Sequence, residues 1–466
     1  MSIYVEKSRE LKVLCSCDVV VIGGGAAGCA AAIGAANLGV DTLLVNKDGY
    51  LGGATVSQLV GHILSTNCVD FQGIWHDWFR TVKERNGIAG TGVVKQRKNL
   101  YRGGVNPEIV KFAWEDMMKR AGVKLLYHTY FSEVIIEDGI VSGIIVETKG
   151  GRFAIYAKRV IDTTGDGLVC AKAGVPYEYG DGRNKYNQAL TTVFRMGNVD
   201  MNSRSYDQDY LSKMQKFARS EEIAQQYSSE VVRNGRVVTY SANDTVKFSV
   251  ANGRKEMNVF PSRVLRVDTT DPWDMTRAEM EGREQAWQCS DFIKKYIDGF
   301  ENSYLVDTAA HIGIRDSRRI KGIAVATLDD ALNLNKYEDS IARSSWEIDI
   351  WPGDSYSNPA VPYNEDFYLE RQNKTENGDY FDVRYGCIVA YGVDNLLVAG
   401  RCLSAERQAQ ASIRIQQTCQ STGQAAGVAA AISILEDTTP RQLDSKLVVS
   451  YLNKIRGETV PAVTAE

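Results

Sequence analysis

The sequence predicts an α/β fold in which a nucleotide-binding domain, carrying an inserted β-meander, is interleaved with an α+β substrate or cap domain. Three observations carry that reading. The run from Asp18 to Asn46, DVVVIGGGAAGCAAAIGAANLGVDTLLVN, holds a strand, a glycine turn, a helix and a second strand. A block of similar character returns after Asn395, and the stretch between about Gly174 and Tyr380 is charged, aromatic and irregular. The boundaries that follow are 1–173 and 381–438 for the nucleotide domain, 174–380 for the second domain, and 439–466 for a C-terminal helix and tail.

Val19 to Ile22 form the continuous apolar run of a parallel strand buried on both faces. Gly23, Gly25 and Gly28 then supply G-x-G-x-x-G, the Rossmann-like turn that brings a pyrophosphate against the backbone at a helix N-terminus. Ala26, Ala27 and the small residues after them give a helix that packs closely, and residues 42–45 give the second strand. The pair Gly52-Gly53, followed by Ala54, permits close backbone approach to a ligand, and His62 lies on the same segment.

Residues 75–84 read as a helix and residues 87–103 as a flexible connection. Asn106-Pro107-Glu108 is a helix start, with Gly122 as its stop. Strand-like runs follow at 124–128, 131–137, 140–147 and 152–157, the middle pair joined by the hairpin signal Asp138-Gly139. Residues 159–162 give another apolar strand that ends in Thr164-Gly165-Asp166-Gly167. In the second domain, Thr276 to Glu279 reads as the capping box of a long helix reaching about Phe300, and residues 373–379 read as an exposed loop. Leu396 to Val398 lead to a turn at Gly400-Arg401, and a small-residue helix with polar groups at its start begins near Gln416. The tail carries an amphipathic helix with Leu443, Leu447, Val448 and Leu452 on its apolar face.

With 44% hydrophobic and 24% charged residues and a net charge of -4, this is an ordinary globular composition with no electrostatic case for nucleic acid or a membrane surface. Nine scattered cysteines without C-x-x-C encode neither a metal site nor a dithiol relay. The polar N-terminus lacks a signal-peptide core, so a cytoplasmic location is expected.

Four motifs, in order, resemble one family: DVVVIGGGAAGCAAA, VIDTTGDG, HIGIRDSRRIKG, and NLLVAGRCLSAERQAQASIRIQQTCQSTGQAAGVAAA. The chain is similar over nearly its whole length to the FAD-dependent oxidoreductases of the glutathione-reductase-like superfamily. The resemblance implies FAD as cofactor, with Gly23, Gly25 and Gly28 at its pyrophosphate and Asn46 and Lys47 at the adenosine ribose. It further implies backbone near Val134 at the adenine, Thr164, Gly165 and Asp166 along the phosphates, and Gly400 and Arg401 at the ribityl region. The helix start around Thr422, Gln424 and Ala425 would face the flavin pyrimidine, where a helix N-terminus stabilises negative charge on reduced flavin.

Three departures stand out. Asn46 occupies the position where the family usually has glutamate, which removes a charge-assisted bond to the ribose. Gly386 stands where an arginine is more usual, and Gln416-Gln417-Thr418 lacks the proline expected beside the flavin.

His62 is the first candidate acid/base, with a structural histidine as the competing reading. Arg315 is a candidate clamp for a substrate carboxylate, against a buried salt bridge, and it would share a face with His311 if the segment were helical. Arg414 and Tyr385 are candidate substrate contacts, each set against a packing role. Cys419 has no partner cysteine for a thiol relay. A second G-x-G-x-x-G is lacking, so a resident nicotinamide domain is disfavoured. The expected activity is hydride transfer between a small polar organic substrate and flavin N5, in the direction of substrate oxidation by an oxidase or dehydrogenase. A fumarate-reductase-like alkene reductase and an electron-transfer or non-catalytic flavoprotein subunit are the alternatives. A second copy of the chain or a separate electron carrier remains open as partner.

Overall fold

The computed structural model describes residues 3–66, 73–93, 100–200, 208–238, 256–356 and 365–457. Strand β1 (Lys12–Ile22) leads through the glycine turn into helix α1 (Ala26–Ala36) and back to β2 (Thr42–Val45), which lies parallel to β1. β1 extends seven residues before the apolar run, because backbone pairing alone holds its half-exposed first part. Helix α2 (Pro107–Ala121) starts and stops as its sequence signals require: Asn106 Oδ1 accepts the Glu108 amide at 3.0 Å, and Gly122 closes the helix at φ +75°. β3 (Lys124–Leu126) then joins β2 in parallel.

The meander β4 (Tyr130–Glu137), β5 (Ile140–Thr148) and β6 (Gly151–Asp162) extends the main sheet. Residues 151–162 are one strand, where the sequence suggested two. The first half of β6 pairs antiparallel with β5, while its whole length runs parallel to β1. A strand serving two neighbours with different environments shows no single hydrophobic period.

Further sequence expectations are corrected by pairing and capping. Residues 87–103 are not simply a flexible connection: Ile88–Val93 and Leu100–Val105 pair with each other, and Leu100–Val105 also pairs with His62–Thr66, in a three-stranded antiparallel sheet. Their glycines had hidden the strand alternation. Helix α3 (Pro272–Tyr296) begins a turn earlier than the T-R-A-E signal, because Asp271 Oδ1 accepts the amides of Trp273 and Asp274 at 2.8 and 3.0 Å. It also stops short of Phe300. Residues 373–376, read as loop, finish the helix Glu365–Glu376, whose Arg371 and Thr375 face inward. His311 to Arg315 is extended, bridged to Thr191, so those two side chains do not share a helical face.

β7 (Phe194–Gly197), β8 (Met257–Val259) and β9 (Tyr304–Thr308) form a small antiparallel sheet with α3 against it. Its own apolar core includes Phe194, Met196, Met257, Phe292 and Ile293. Residues within 326–350 instead pack into the core around α1: Ala326, Ala331, Ile341 and Ile348 share a cluster with Phe381 and Val383.

The chain returns through β10 (Leu396–Val398), parallel to the end of β6, and helix α4 (Gln416–Leu435). α4 lies directly on α1. A Cβ at Gly423 would sit 2.1 Å from the Ala27 carbonyl oxygen, and one at Gly427 would sit 1.9 Å from that of Ala31. In the tail helix Ser445–Gly457, Val448 and Leu452 are buried, with Leu443 just before it, whereas Leu447 points to solvent.

Gly427→Ala therefore tests the helix contact. On an exposed helix this change stabilises by about 1 kcal/mol. Here the backbone clash should reverse the sign and cost about 1–3 kcal/mol in urea unfolding. A neutral or stabilising result would show that α1 and α4 are not in contact.

Candidate cofactor and substrate site

Three separated segments meet where β1, β6 and β10 end. Thr163 is the pin: its hydroxyl donates to the carbonyls of Ile22 at 2.8 Å and Gly23 at 2.9 Å. A Cβ at Gly23 would meet the Thr163 carbonyl at 2.6 Å, and one at Gly28 would meet the Gly23 carbonyl at 1.8 Å. Only glycine fits either place. Asp162, fully buried, accepts from the Thr164 amide and hydroxyl and from the Cys170 amide, at 3.0, 2.7 and 3.0 Å. Burial pushes its carboxyl above the ordinary value, although those donors pull the other way. Arg401 closes the third side, donating to the Gly165 carbonyl at 2.8 Å, to the Asp166 carboxylate at 2.8 Å and to the Ile314 carbonyl. The Gly400 amide donates to Thr422 Oγ1 at 3.2 Å, which ties this turn to α4.

The residues fit a dinucleotide. Gly25 caps α1 without a side-chain bond, and no acidic residue occupies the first turn, so its positive end is uncompensated. A Cβ at Gly25 would meet only the Gly53 Cα, at 3.9 Å, so the turn is bare where a phosphate must approach. Gly53, at φ +50°, comes so near that its own Cβ would lie 2.7 Å from the Gly25 Cα. The α4 N-terminus likewise has no side-chain cap or acid, and Thr418 Oγ1 and Gln420 Oε1 in its first turns are buried without a partner among the described residues. Gln416 at its start bonds the Thr55 hydroxyl and donates to the Val60 carbonyl at 3.2 Å. Thus the loop from Gly52, Gly53 and Ala54 runs to this helix end. His62 follows as the first residue of a strand, its side chain outside the described residues.

The Asn46 amide is turned inward. Oδ1 accepts the Gly24 amide at 2.9 Å, and Nδ2 donates to the carbonyls of Tyr50 at 2.7 Å and Asp48 at 3.3 Å. Both its donors are used in holding the glycine turn against the next loop, which a carboxylate could not do. Lys47 is exposed beside it, and Val134 sits in β4 opposite Ile144.

Among the other candidates, Arg414 lies directly before α4 and donates to the Asp349 carbonyl and carboxylate, both at 2.9 Å. Arg315 bonds the Ala189 carbonyl and donates to the Thr191 hydroxyl at 2.9 Å, while its own carbonyl accepts Gln410 Nε2 at 3.2 Å. That same Nε2 donates to the Arg401 carbonyl at 3.1 Å, so Arg315 belongs to the cluster. Tyr385 does not. Its buried hydroxyl donates to the Pro440 carbonyl at 2.7 Å, beyond the C-terminal end of α4, and twenty helical residues span roughly 30 Å. Gln424 accepts weakly from the Ile74 amide at 3.4 Å, and Ala425 is wholly buried. The Cys419 thiol donates to the Arg414 carbonyl at 3.2 Å, and burial pushes its pKa up to about 12, so it stays protonated.

Thr163, Asp162 and Gln410 were not singled out from sequence. Thr163 and Asp162 stand inside the VIDTTGDG motif, but nothing in a sequence says which threonine of a pair turns inward. His311 Nε2 lies 3.2 Å from Asp48 and joins the extended segment 311–315 to the loop after β2. Among the described residues no group of three His, Cys, Asp or Glu could hold a metal, and no helix is long and apolar enough to cross a membrane.

A family model described as FAD dependent oxidoreductase matches residues 18–455. Dihydrolipoyl dehydrogenase of Trypanosoma brucei brucei is 33% identical over 157 residues, 32% of this chain and 30% of that protein. Digeranylgeranylglycerophospholipid reductase of Methanosarcina acetivorans is 31% identical over 162 residues, 32% of this chain and 37% of that one. The chain therefore spans about a third of the length of these curated relatives. Similar solved structures include a geranylgeranyl bacteriochlorophyll reductase-like protein of Thermoplasma acidophilum, with TM-score 0.42 and 14% identity over 95% of this chain and 83% of that one. The myxobacterial chondrochloren halogenase CndH gives 0.45 and 13% over 95% and 80%.

Two outcomes test this geometry. Asn46→Asp swaps two donors for a charge facing two carbonyls, and should destabilise the FAD-free protein by about 1–3 kcal/mol in chemical unfolding. Unchanged stability would leave the amide without its clamping role. Burial alone would raise the Asp48 carboxyl, but the bond and charge of His311, with Lys47 and His128, outweigh it and hold the group below its ordinary value. A lowered carboxyl contributes stability that is present above its unfolded pKa and lost as pH falls through its folded one. In His311→Asn the Asp48 midpoint, followed by carbon NMR, should move up and acid unfolding should begin at higher pH. An unmoved midpoint would discount the pair.

Proposed function

The chain belongs to the FAD-dependent oxidoreductase family, and from that premise we propose that it oxidises a small polar organic molecule, as an oxidase or dehydrogenase. Bound FAD supplies two-electron redox chemistry, with hydride exchanged at flavin N5. The carrying observation is the convergence of the Gly23–Gly28, Thr164–Asp166 and Gly400–Arg401 turns on the bare N-terminus of α1, with that of α4 beside them. In this reading the α1 amides and Gly25 hold the pyrophosphate, and Thr164, Gly165 and Asp166 with Gly400 and Arg401 line its path. Lys47 meets the ribose, while Asn46 shapes the turn from behind. The α4 N-terminus faces the pyrimidine end and stabilises negative charge there.

His62 is the proposed proton acceptor, because Gln416 fixes the segment just before it at the α4 N-terminus. Arg315 and Arg414 orient the substrate at the seam with the second domain. The described cysteines have pKa values pushed up by burial, which supports direct exchange with an organic substrate over a thiol relay. The similarity to the Methanosarcina reductase favours a second reading, alkene reduction, over the part of the chain that it covers.

Purified protein should carry flavin absorbance, and Gly25→Val should abolish it while leaving the fold intact by circular dichroism. Anaerobic bleaching by an alcohol or amine supports oxidation; prereduced protein reoxidised only by an enoate would replace that reading with the reductase. Wild-type protein that cannot be loaded with FAD would overturn both. His62→Asn should lower kcat by about 100-fold or more if the imidazole takes the proton.

A further inference from the structure

Helix α3 is apolar on two opposite sides. Inward, Ala286, Cys289, Phe292 and Ile293 fill the core beside the small antiparallel sheet. Outward, Trp273, Met280 and Trp287 recur every seven residues and are 81%, 65% and 62% exposed. A seven-residue step falls within about 20° of two whole helical turns, so the three side chains stand in one row opposite the buried face. A lone exposed apolar side chain is ordinary; two indoles and a thioether in one row mark a surface that another surface covers.

Shape and charge together identify what covers it. Trp287 lines a hollow of about 530 Å³ with Tyr227, Ser228, Glu284 and Gln288. The polar groups of the hollow already serve one another. Gln288 Nε2 donates to Glu284 at 2.7 Å and to the Ser228 hydroxyl at 2.8 Å, its Oε1 accepts the Ser229 amide at 2.8 Å, and the Tyr227 hydroxyl donates to Asp291 at 2.7 Å. The hollow therefore suits a flat apolar group. Trp273 is such a group, and the Asp271 carboxylate, bonded to the amides of Trp273 and Asp274, holds its backbone still. Trp273 and Trp287 stand equally far from Met280, seven residues to either side. A two-fold axis at Met280, setting two α3 helices antiparallel, thus delivers each Trp273 to the other copy's hollow.

The same register opposes unlike charges. Residue 277 of one copy then neighbours residue 284 of the other, on one flank of the row. Arg277, paired within its own chain to Asp274 and Glu281, gains Glu284, whose described partner is the neutral Gln288 amide. On the other flank Arg283 meets the neutral Thr276, and the helix dipoles run in opposite directions. Four indoles at about 150–250 Å² each, with their flanking residues, bring the covered area to roughly 1,200 Å², the lower end for a specific pair.

We infer that the chain forms a two-fold dimer through α3, with Trp273 of each copy seated in the hollow beside Trp287 of the other. A contact of this kind uses one patch twice and closes at two copies.

Sedimentation equilibrium of the full chain as purified tests this, and should give a dimer with Kd of about 1 μM or tighter. Trp273→Ala and Trp287→Ala should each weaken it roughly 10- to 100-fold with circular dichroism unchanged, whereas Phe112→Ala, an exposed apolar residue on α2, should not. Arg277→Glu and Glu284→Arg should each weaken self-association by opposing like charges twice. An equimolar mixture of those two variants should dimerise again, because both contacts in the mixed pair then oppose unlike charges. A chain monomeric well above micromolar concentration would overturn the inference and leave the row to a different partner. A dimer indifferent to both tryptophan changes, or charge variants that stay apart when mixed, would overturn it equally.

Discussion

The direct backbone contact between α1 and α4 is the constraint on which the rest of the molecule depends. With Gly423 and Gly427 seated against the Ala27 and Ala31 carbonyls, the two helices have no side chain between them to repack at those positions. Rotation or sliding of either one is blocked by main-chain atoms, which neither shrink nor change rotamer. Two uncompensated helix N-termini are thereby set in fixed relation, one beside the Gly23 turn and one beside Gln416 and Val60. Such dipole ends are useful only if they are held still, since a preorganised field costs no rearrangement when charge develops. Thr163 and Arg401 extend the same rigidity to the strand ends. Each bridges segments 140 or more residues apart in sequence through backbone carbonyl acceptors at or just beyond the strand ends.

What could be read from the chain and what could not divides along a physical line. Glycine turns and buried parallel strands are local requirements, so Gly23, Gly25 and Gly28 announce themselves and the hairpin at Asp138-Gly139 is where its dipeptide places it. The cap of α2 is equally local. Long-range partners are not. Nothing in the run Tyr385-Gly386 says that the hydroxyl ends on Pro440, and nothing near Asn46 says that its amide is spent on Gly24 and Tyr50. The strand from Leu100 to Val105 was hidden because glycine carries no side-chain alternation. The helix at Glu365–Glu376 was hidden because a polar face resembles a loop when the inward residues are an arginine and a threonine.

Charge repeats this lesson. Arg315, Arg318 and Arg319 are adjacent in sequence, yet they go three ways: Arg315 to Trp351, Arg318 to the Asp166 carbonyl, and Arg319 to the Gly180 carbonyl and Glu178. Conversely Arg236, Arg263 and Arg315, none adjacent to another in sequence, are gathered around one indole, that of Trp351.

The cysteines have a chemical consequence of another kind. A flavoprotein that returns electrons to oxygen generates peroxide at its own centre, and the group most exposed to that product is a thiolate. Each of the eight described cysteines is held on the protonated side by burial, Cys419 in the first turn of α4 among them. Those sulfurs offer peroxide little to attack. If the protein works as the oxidase proposed above, packing that looks like ordinary core filling would also give it tolerance of its own by-product.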